Sequence, residues 1–318
     1  MLSPDWKSTA TQKNLQLRAE LYARIRAFFA SRHILEVETP LLCQHTVTDP
    51  HIESFIVPIP HADTPTHYYL QTSPEYAMKR LLAAGSGPIY QITKSFRVGE
   101  SGHQHNPEFT MLEWYRPDFN HHDLMDEIND FLQCTVDMKS AERISYQQLF
   151  LDYLNIDPFE INLAQLKELI SKNNINIDVS DIDHDTALQI LLSHLIEPSM
   201  GFETPLFLYD FPPSQAALSI IKNGVAQRFE LYINGSEIAN GFHELTDAAE
   251  QQKRFEKNQR DRKNNHQAIP EIDHYFIDAL KAGLPHCAGV AMGVDRLLMC
   301  YVKTKDIQDV ISFPFDCA

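Results

Sequence analysis

FRVGESGHQHNPEFTMLEWY, residues 96 to 115, decides how the rest of the chain is read. Arg97 stands at the start of a Gly-containing loop, and the chain returns through His105, Asn106, Pro107, Glu108 and Phe109 into an apolar strand bearing Glu113 and Tyr115. An antiparallel pair joined by such a loop offers a guanidinium to a phosphate and an aromatic face, Phe109, to a base. Farther along it offers a carboxylate and a phenol to an amine. Taken alone, an arginine such as Arg97 is more often a surface cation or a structural ion-pair member than a phosphate ligand. Three other segments make it specific.

The first is RFELYINGSEI, Arg228 to Ile238. Asn234-Gly235 is a two-residue hairpin signal that pairs Ile233 with Ser236 and Tyr232 with Glu237. Glu237 then shares a sheet face with Glu230, one diagonal step or about 7 to 8 Å away. Two carboxylates so close repel unless a cation lies between them or one is protonated, and oxygen ligands beside phosphates suit Mg2+. The plain alternative is two solvated acids on an exposed sheet. The second segment is ANGFHEL, Ala239 to Leu245, in which Glu244 is either a functional carboxylate or merely the residue before a helix start. In the third, GVAMGVDRL from Gly289 to Leu297, small residues alternate along a strand so that a ligand can lie against the backbone. It ends in Arg296, placed to meet a terminal phosphate.

Composition bounds the reading. The 318 residues are 43% hydrophobic, ample for a full core. A formal net charge of -16 repels polyphosphate backbones and disfavours non-specific nucleic-acid binding. Five cysteines without a C-x-x-C pair point to reduced thiols in a cytoplasm. The chain start is polar and no apolar run approaches membrane length, so neither secretion nor insertion is expected.

Leu17, Leu21, Ile25 and Phe28 recur at helical spacing, predicting an amphipathic helix over 13–32. Leu35 to Pro40 alternates like a strand stopped by proline. Ser73-Pro74-Glu75 is a helix start. Residues 89–96 and 109–115 read as the arms of a long hairpin, 206–211 as a strand, 247–265 as an exposed helix and 286–301 as a strand-to-helix unit. No linker divides the chain, so a single domain over 1–318 is expected, with a helical insertion at about 120–200.

Glu38-Thr39-Pro40, Phe96-Arg97 through Glu113-Trp114-Tyr115, and Gly293-Val294-Asp295-Arg296 together resemble the three motifs of class II aminoacyl-tRNA synthetases, most closely the lysyl subgroup. The resemblance spans nearly the whole chain. It implies an α+β fold, an antiparallel sheet flanked by helices. Lysyl-tRNA synthetases carry an N-terminal anticodon-binding domain, whereas here the first motif arrives by residue 40. In that respect the chain is similar to the elongation factor P–(R)-β-lysine ligase family, whose members modify a protein and need no tRNA.

The resemblance assigns roles position by position. Arg97 would contact the α-phosphate of ATP and Asn106 the nucleotide, with Val98, Gly99 and Glu100 in the same loop, Phe109 stacking on adenine and Arg296 covering its other side. Glu230 and Glu237 would hold Mg2+, and Ile238 and Gly293 would line the ATP site. Ser73, Pro74 and Glu75 would receive (R)-β-lysine or lysine near its reacting end, Glu113 would hold its amine, and Tyr115 and Glu244 would recognise the distal ammonium. Arg97, Glu237 and Arg296 would carry the chemistry, and Pro40 would lie at a homodimer interface. Two departures stand out. The carboxylate of Arg97-Val98-Gly99-Glu100 falls one residue later than in the usual R-x-E, and Ala291 replaces a glycine of the tRNA-charging relatives. A β-amino acid displaces its amine by one bond, about 1.5 Å, and a single methyl reshapes a pocket wall by roughly 1 to 3 kcal/mol.

The expected activity is activation of the amino acid as its adenylate, followed by transfer to a lysine of elongation factor P. Competing readings are an enzyme that charges tRNA or a small molecule, and an inactive nucleotide-binding regulator.

Overall fold

The computed structural model describes residues 6–59 and 67–318, so the polar start Met1 to Asp5 lies outside the described residues. Helix α1 (Gln12–Ser31) is capped by Thr11, whose Oγ1 accepts the Asn14 N–H at 3.2 Å. It buries Leu21, Ile25, Phe28 and Phe29. The expected strand after it is short, only β1 (Leu35–Glu36). Strands β2 (Leu42–Cys43), β3 (Ile56–Pro58) and β4 (His67–Leu70) make a small sheet in the order β2-β4-β3.

The central sheet begins after α2 (Glu75–Ala83), with β5 (Ile89–Phe96) and β6 (Glu108–Pro117) as the predicted hairpin. Then come α3 (His121–Val136), β7 (Glu142–Ser145) and the helices α4 (Tyr146–Leu154), α5 (Leu163–Lys172) and α6 (His184–Leu191). Strands β8 (Leu206–Phe211), β9 (Ile221–Lys222), β10 (Val225–Ile233) and β11 (Ser236–His243) follow. Helices α7 (Ala248–Asn264) and α8 (His274–Gly283), strand β12 (Cys287–Gly293) and helix α9 (Val294–Val302) complete the order.

The sheet runs β1-β5-β6-β12-β11-β10-β8-β7, with β9 beside β10. It is antiparallel except at its two margins, where β1 pairs with β5 and β7 with β8 in parallel. The architecture is α+β, as expected, with a mixed rather than purely antiparallel sheet.

One core, with Leu112, Trp114, Phe229, Leu231, Val290 and Met292 from the sheet, packs under α1, α3 and α9. Residues alternating with these point to the other face, where two smaller cores flank the middle of the sheet, the candidate cleft. One joins α4, α5 and α6 to Leu208, Phe211, Ala226 and Tyr232; the other joins α2, α7 and α8 to Ile89, Tyr115 and Cys287. The expected helical insertion at 120–200 therefore divides. Helix α3 belongs to the first core and β7 to the central sheet, because Leu124, Ile128, Phe131 and Leu132 form one apolar stripe facing α1. The separate helical part starts near Tyr146.

Candidate active site

Register places one row of side chains across the cleft face. Gln91 on β5 lies opposite Glu113 on β6, Glu113 opposite Ala291 on β12, Ala291 opposite Asn240 on β11, and Asn240 opposite Glu230 on β10. The neighbouring row is Tyr115, Gly289, Phe242 and Arg228. Directly opposed residues share a face, so segments far apart in sequence meet on one surface.

At the β6 side, Ser73 Oγ accepts the Glu75 N–H at 3.0 Å and donates to Glu113 Oε2 at 2.8 Å. Ser73 thereby both starts α2 next to Pro74 and orients the carboxylate. The Tyr115 hydroxyl donates to Glu113 Oε1 at 2.6 Å. Lys79, buried on α2, lies 2.6 Å from Glu75 Oε1 and 2.6 Å from Glu244 Oε2. A Cβ on Gly289 would collide with both the Tyr115 ring and Glu244 Oε1, so the small residue expected from the strand pattern is what lets these two groups lie against β12.

Three carboxylates surround one lysine, in a pocket where Glu113 and Glu244 are each 1% exposed. Burial, reinforced by Glu75, pushes the Glu113 carboxyl up to about 8. Burial likewise raises Glu244 to about 8 despite the ion pair with Lys79. Burial and the Glu113 carboxylate raise the Tyr115 phenol well above its ordinary value. At neutral pH the pocket holds protons that a cationic ligand would displace.

At the other end, the Arg97 guanidinium sits 5.1 Å over the Phe109 ring and 3.4 Å from Glu100 Oε1, and its buried Nε has no partner. A buried guanidinium N–H without an acceptor is a donor suited to a phosphate oxygen. Val98 is exposed and Gly99 adopts φ +82°, open to solvent. Arg296, in the first turn of α9 beyond Gly293, donates to the Glu237 carbonyl at 2.8 Å and to the Gln104 carbonyl at 3.3 Å. The loop, the hairpin and α9 thus converge. Asn106, which the resemblance implies contacts the nucleotide, donates its side-chain N–H to the Glu108 carbonyl at 2.6 Å and accepts the Phe315 N–H at 2.9 Å. Here it braces the loop.

The Asn234-Gly235 hairpin has the expected pairs Tyr232–Glu237 and Ile233–Ser236. A bulge then inserts Ile238, so Glu230 faces Asn240 and lies one residue farther along β11 than an unbroken ladder would put it. Glu230 ion-pairs with Arg228 and accepts the Tyr232 hydroxyl at 2.6 Å. Burial and Glu230 raise Glu237 to about 7, and the same causes raise Glu197 to about 7. Among the described residues no group of three or more His, Cys, Asp or Glu side chains forms a ready metal-ligand set. The oxygen-only donors Glu237 and Glu230 fit Mg2+ held jointly with phosphates.

Two participants escaped the sequence reading. Lys79 follows Glu75 at i+4 on a helix, a spacing that signals a salt bridge but not a buried one. Glu197 had no signal, because it reaches Glu230 only through the packing of Gly201 and Gly235 onto the hairpin and the preceding 3-10 turn. Asp295, within the third motif, is structural: it pairs with Arg18 at 2.5 Å and accepts the Thr110 N–H at 2.6 Å.

Comparison with known proteins matches residues 4–316 to a family model described as tRNA synthetases class II (D, K and N). The chain is 51% identical over 315 residues to an elongation factor P–(R)-β-lysine ligase of Yersinia enterocolitica, covering 97% of each chain. It is 50% identical over 319 residues to that of Salmonella gallinarum, covering 98% of each.

Proposed function

Because the chain belongs to the class II tRNA synthetase family, and within it to the elongation factor P–(R)-β-lysine ligases, we propose that this cleft activates (R)-β-lysine with ATP and passes it to a lysine of elongation factor P. The observation that carries the reading is the charge of the pocket. Glu75, Glu113 and Glu244 against Lys79 leave two negative charges once all are ionised. A diamino acid brings two ammonium groups.

Binding would draw the protons from Glu113 and Glu244, and Ser73 and Tyr115 would keep the Glu113 carboxylate aimed at an amine. The ligand's own carboxylate is ionised at neutral pH and needs no protein base to attack the α-phosphorus, breaking the α–β anhydride bond so that pyrophosphate leaves and the aminoacyl adenylate remains. Arg97 would meet the phosphate through its unpartnered Nε, Phe109 would face adenine, and Arg296 would close the far side. Their work is in-line positioning and charge stabilisation. Glu237, with Glu230 behind it, would hold Mg2+, which supplies charge neutralisation of the phosphates when bound. The acceptor lysine, with pKa near 10.4, is neutral in only about one molecule in 2,500 at pH 7.

The net charge of -16 supports a protein rather than a tRNA acceptor. Exposed Leu35, Leu41 and Leu42 beside Pro40 support a homodimer contact. Free cysteines, and the absence among the described residues of any helix long and apolar enough to cross a membrane, support a cytoplasmic site of action.

The test incubates the protein with ATP, Mg2+ and (R)-β-lysine or α-lysine, offering elongation factor P and tRNA as acceptors, and weighs the products. A mass gain on elongation factor P that depends on both ATP and the diamino acid is expected. A gain on tRNA alone would replace this reading with tRNA charging.

A further inference from the structure

Helix α2 carries a buried ammonium to which the proposed chemistry gives no role beyond its charge. Lys79 is 1% exposed, its ammonium lies 5.8 Å from the Phe276 ring, and Met78 and Leu82 beside it belong to an apolar core. A charge buried this deeply is costly unless it is paired. Its two partners come from different elements: Glu75 opens α2 and Glu244 follows β11. Lys79 reaches one oxygen of each, Glu75 Oε1 and Glu244 Oε2, and so ties the start of α2 to the end of β11. Glu244 Oε1 is the oxygen that lies against Gly289 beside the Tyr115 ring.

We propose that Lys79 is a positioning residue: by tying Glu244 to Glu75 it fixes where the Glu244 carboxylate stands relative to Glu113, and so selects diamino acids by the distance between their amines. The inference rests on the diamino-acid reading of this pocket. Without the bridge, two like charges in a dry site repel each other. An arginine keeps the positive charge but replaces a compact ammonium by a longer planar fork, so the carboxylates would settle at a different spacing.

The experiment measures diamino-acid-dependent ATP–pyrophosphate exchange with (R)-β-lysine, α-lysine and ornithine, for the unmodified protein, K79R and K79M. Displacement of a fluorescent ATP analogue reports folding at a part of the cleft Lys79 does not touch. For K79R the ratio of kcat/KM between (R)-β-lysine and the other two is expected to move by about tenfold, through KM rather than kcat. K79M is expected to weaken all three while retaining nucleotide binding. A K79R ratio within about twofold of the unmodified protein's would overturn the proposal and leave Lys79 a structural ion. Absence of exchange with every diamino acid in the unmodified protein would instead remove the diamino-acid reading itself.

Discussion

Arg97 and Ala291 show how far a single side chain can be interpreted. Arg97→Ala removes a guanidinium whose Nε has no protein partner, so the fold should survive, by circular dichroism, while exchange falls by about a hundredfold or more. Unchanged exchange kinetics would end the role assigned to it. Ala291 lies directly across from Glu113, so its methyl borders the carboxylate expected to hold the amine. Ala291→Gly should relax the preference for (R)-β-lysine over α-lysine by about tenfold in the kcat/KM ratio, and a constant ratio would count against that wall. Arg97, Glu113 and Glu237 were readable from the chain because each sits in a motif whose local geometry aims it. Lys79 was not, since a lysine four residues after a glutamate is nearly always a solvated pair, and only tertiary packing shows it buried between two acids.

Elements formed where local chemistry was strong. Asn234-Gly235 specified its hairpin to the residue, Thr11 and Asp247 cap the helices expected near them, and Ser73 accepts the first N–H of α2 from outside its Pro74 cap. The bulge at Ile238 left no mark on the local pattern, because an extra residue in a ladder is decided by the neighbouring strands. Helix α3 falls inside the span expected to be an insertion, and helical spacing alone does not say which core an apolar stripe meets. Gly241, within the same ANGFHEL segment as Glu244, serves packing on the opposite face: a Cβ there would collide with the Phe229 ring. Gly241→Ala should cost about 1–3 kcal/mol of stability by overpacking, read as a lowered midpoint in urea. A midpoint equal to the parent's would mean that Phe229 has room to move.

Over the whole molecule, the raised carboxyls tie stability to pH. Glu113 and Glu244, at about 8, and Glu237 and Glu197, at about 7, bind protons in the folded chain that the unfolded chain has already released. Stability of the ligand-free protein should therefore fall as pH rises from 6.5 to 8.5, by about 2–4 kcal/mol, seen as a Tm lower by several degrees. Below pH 6.5 the buried His243, held at about 4, acts in the opposite sense. Adding a diamino acid with ATP should flatten the upper limb, and a Tm that climbs through that window would contradict the protonated pocket. The row from Gln91 to Glu230 straddles the seam between β6 and β12, strands that end and begin 170 residues apart, at Pro117 and Cys287. During synthesis β6 must wait, its far edge bare, until β12, made 170 residues later, has left the ribosome. Catalytic competence would then arrive only with the closure of that single joint.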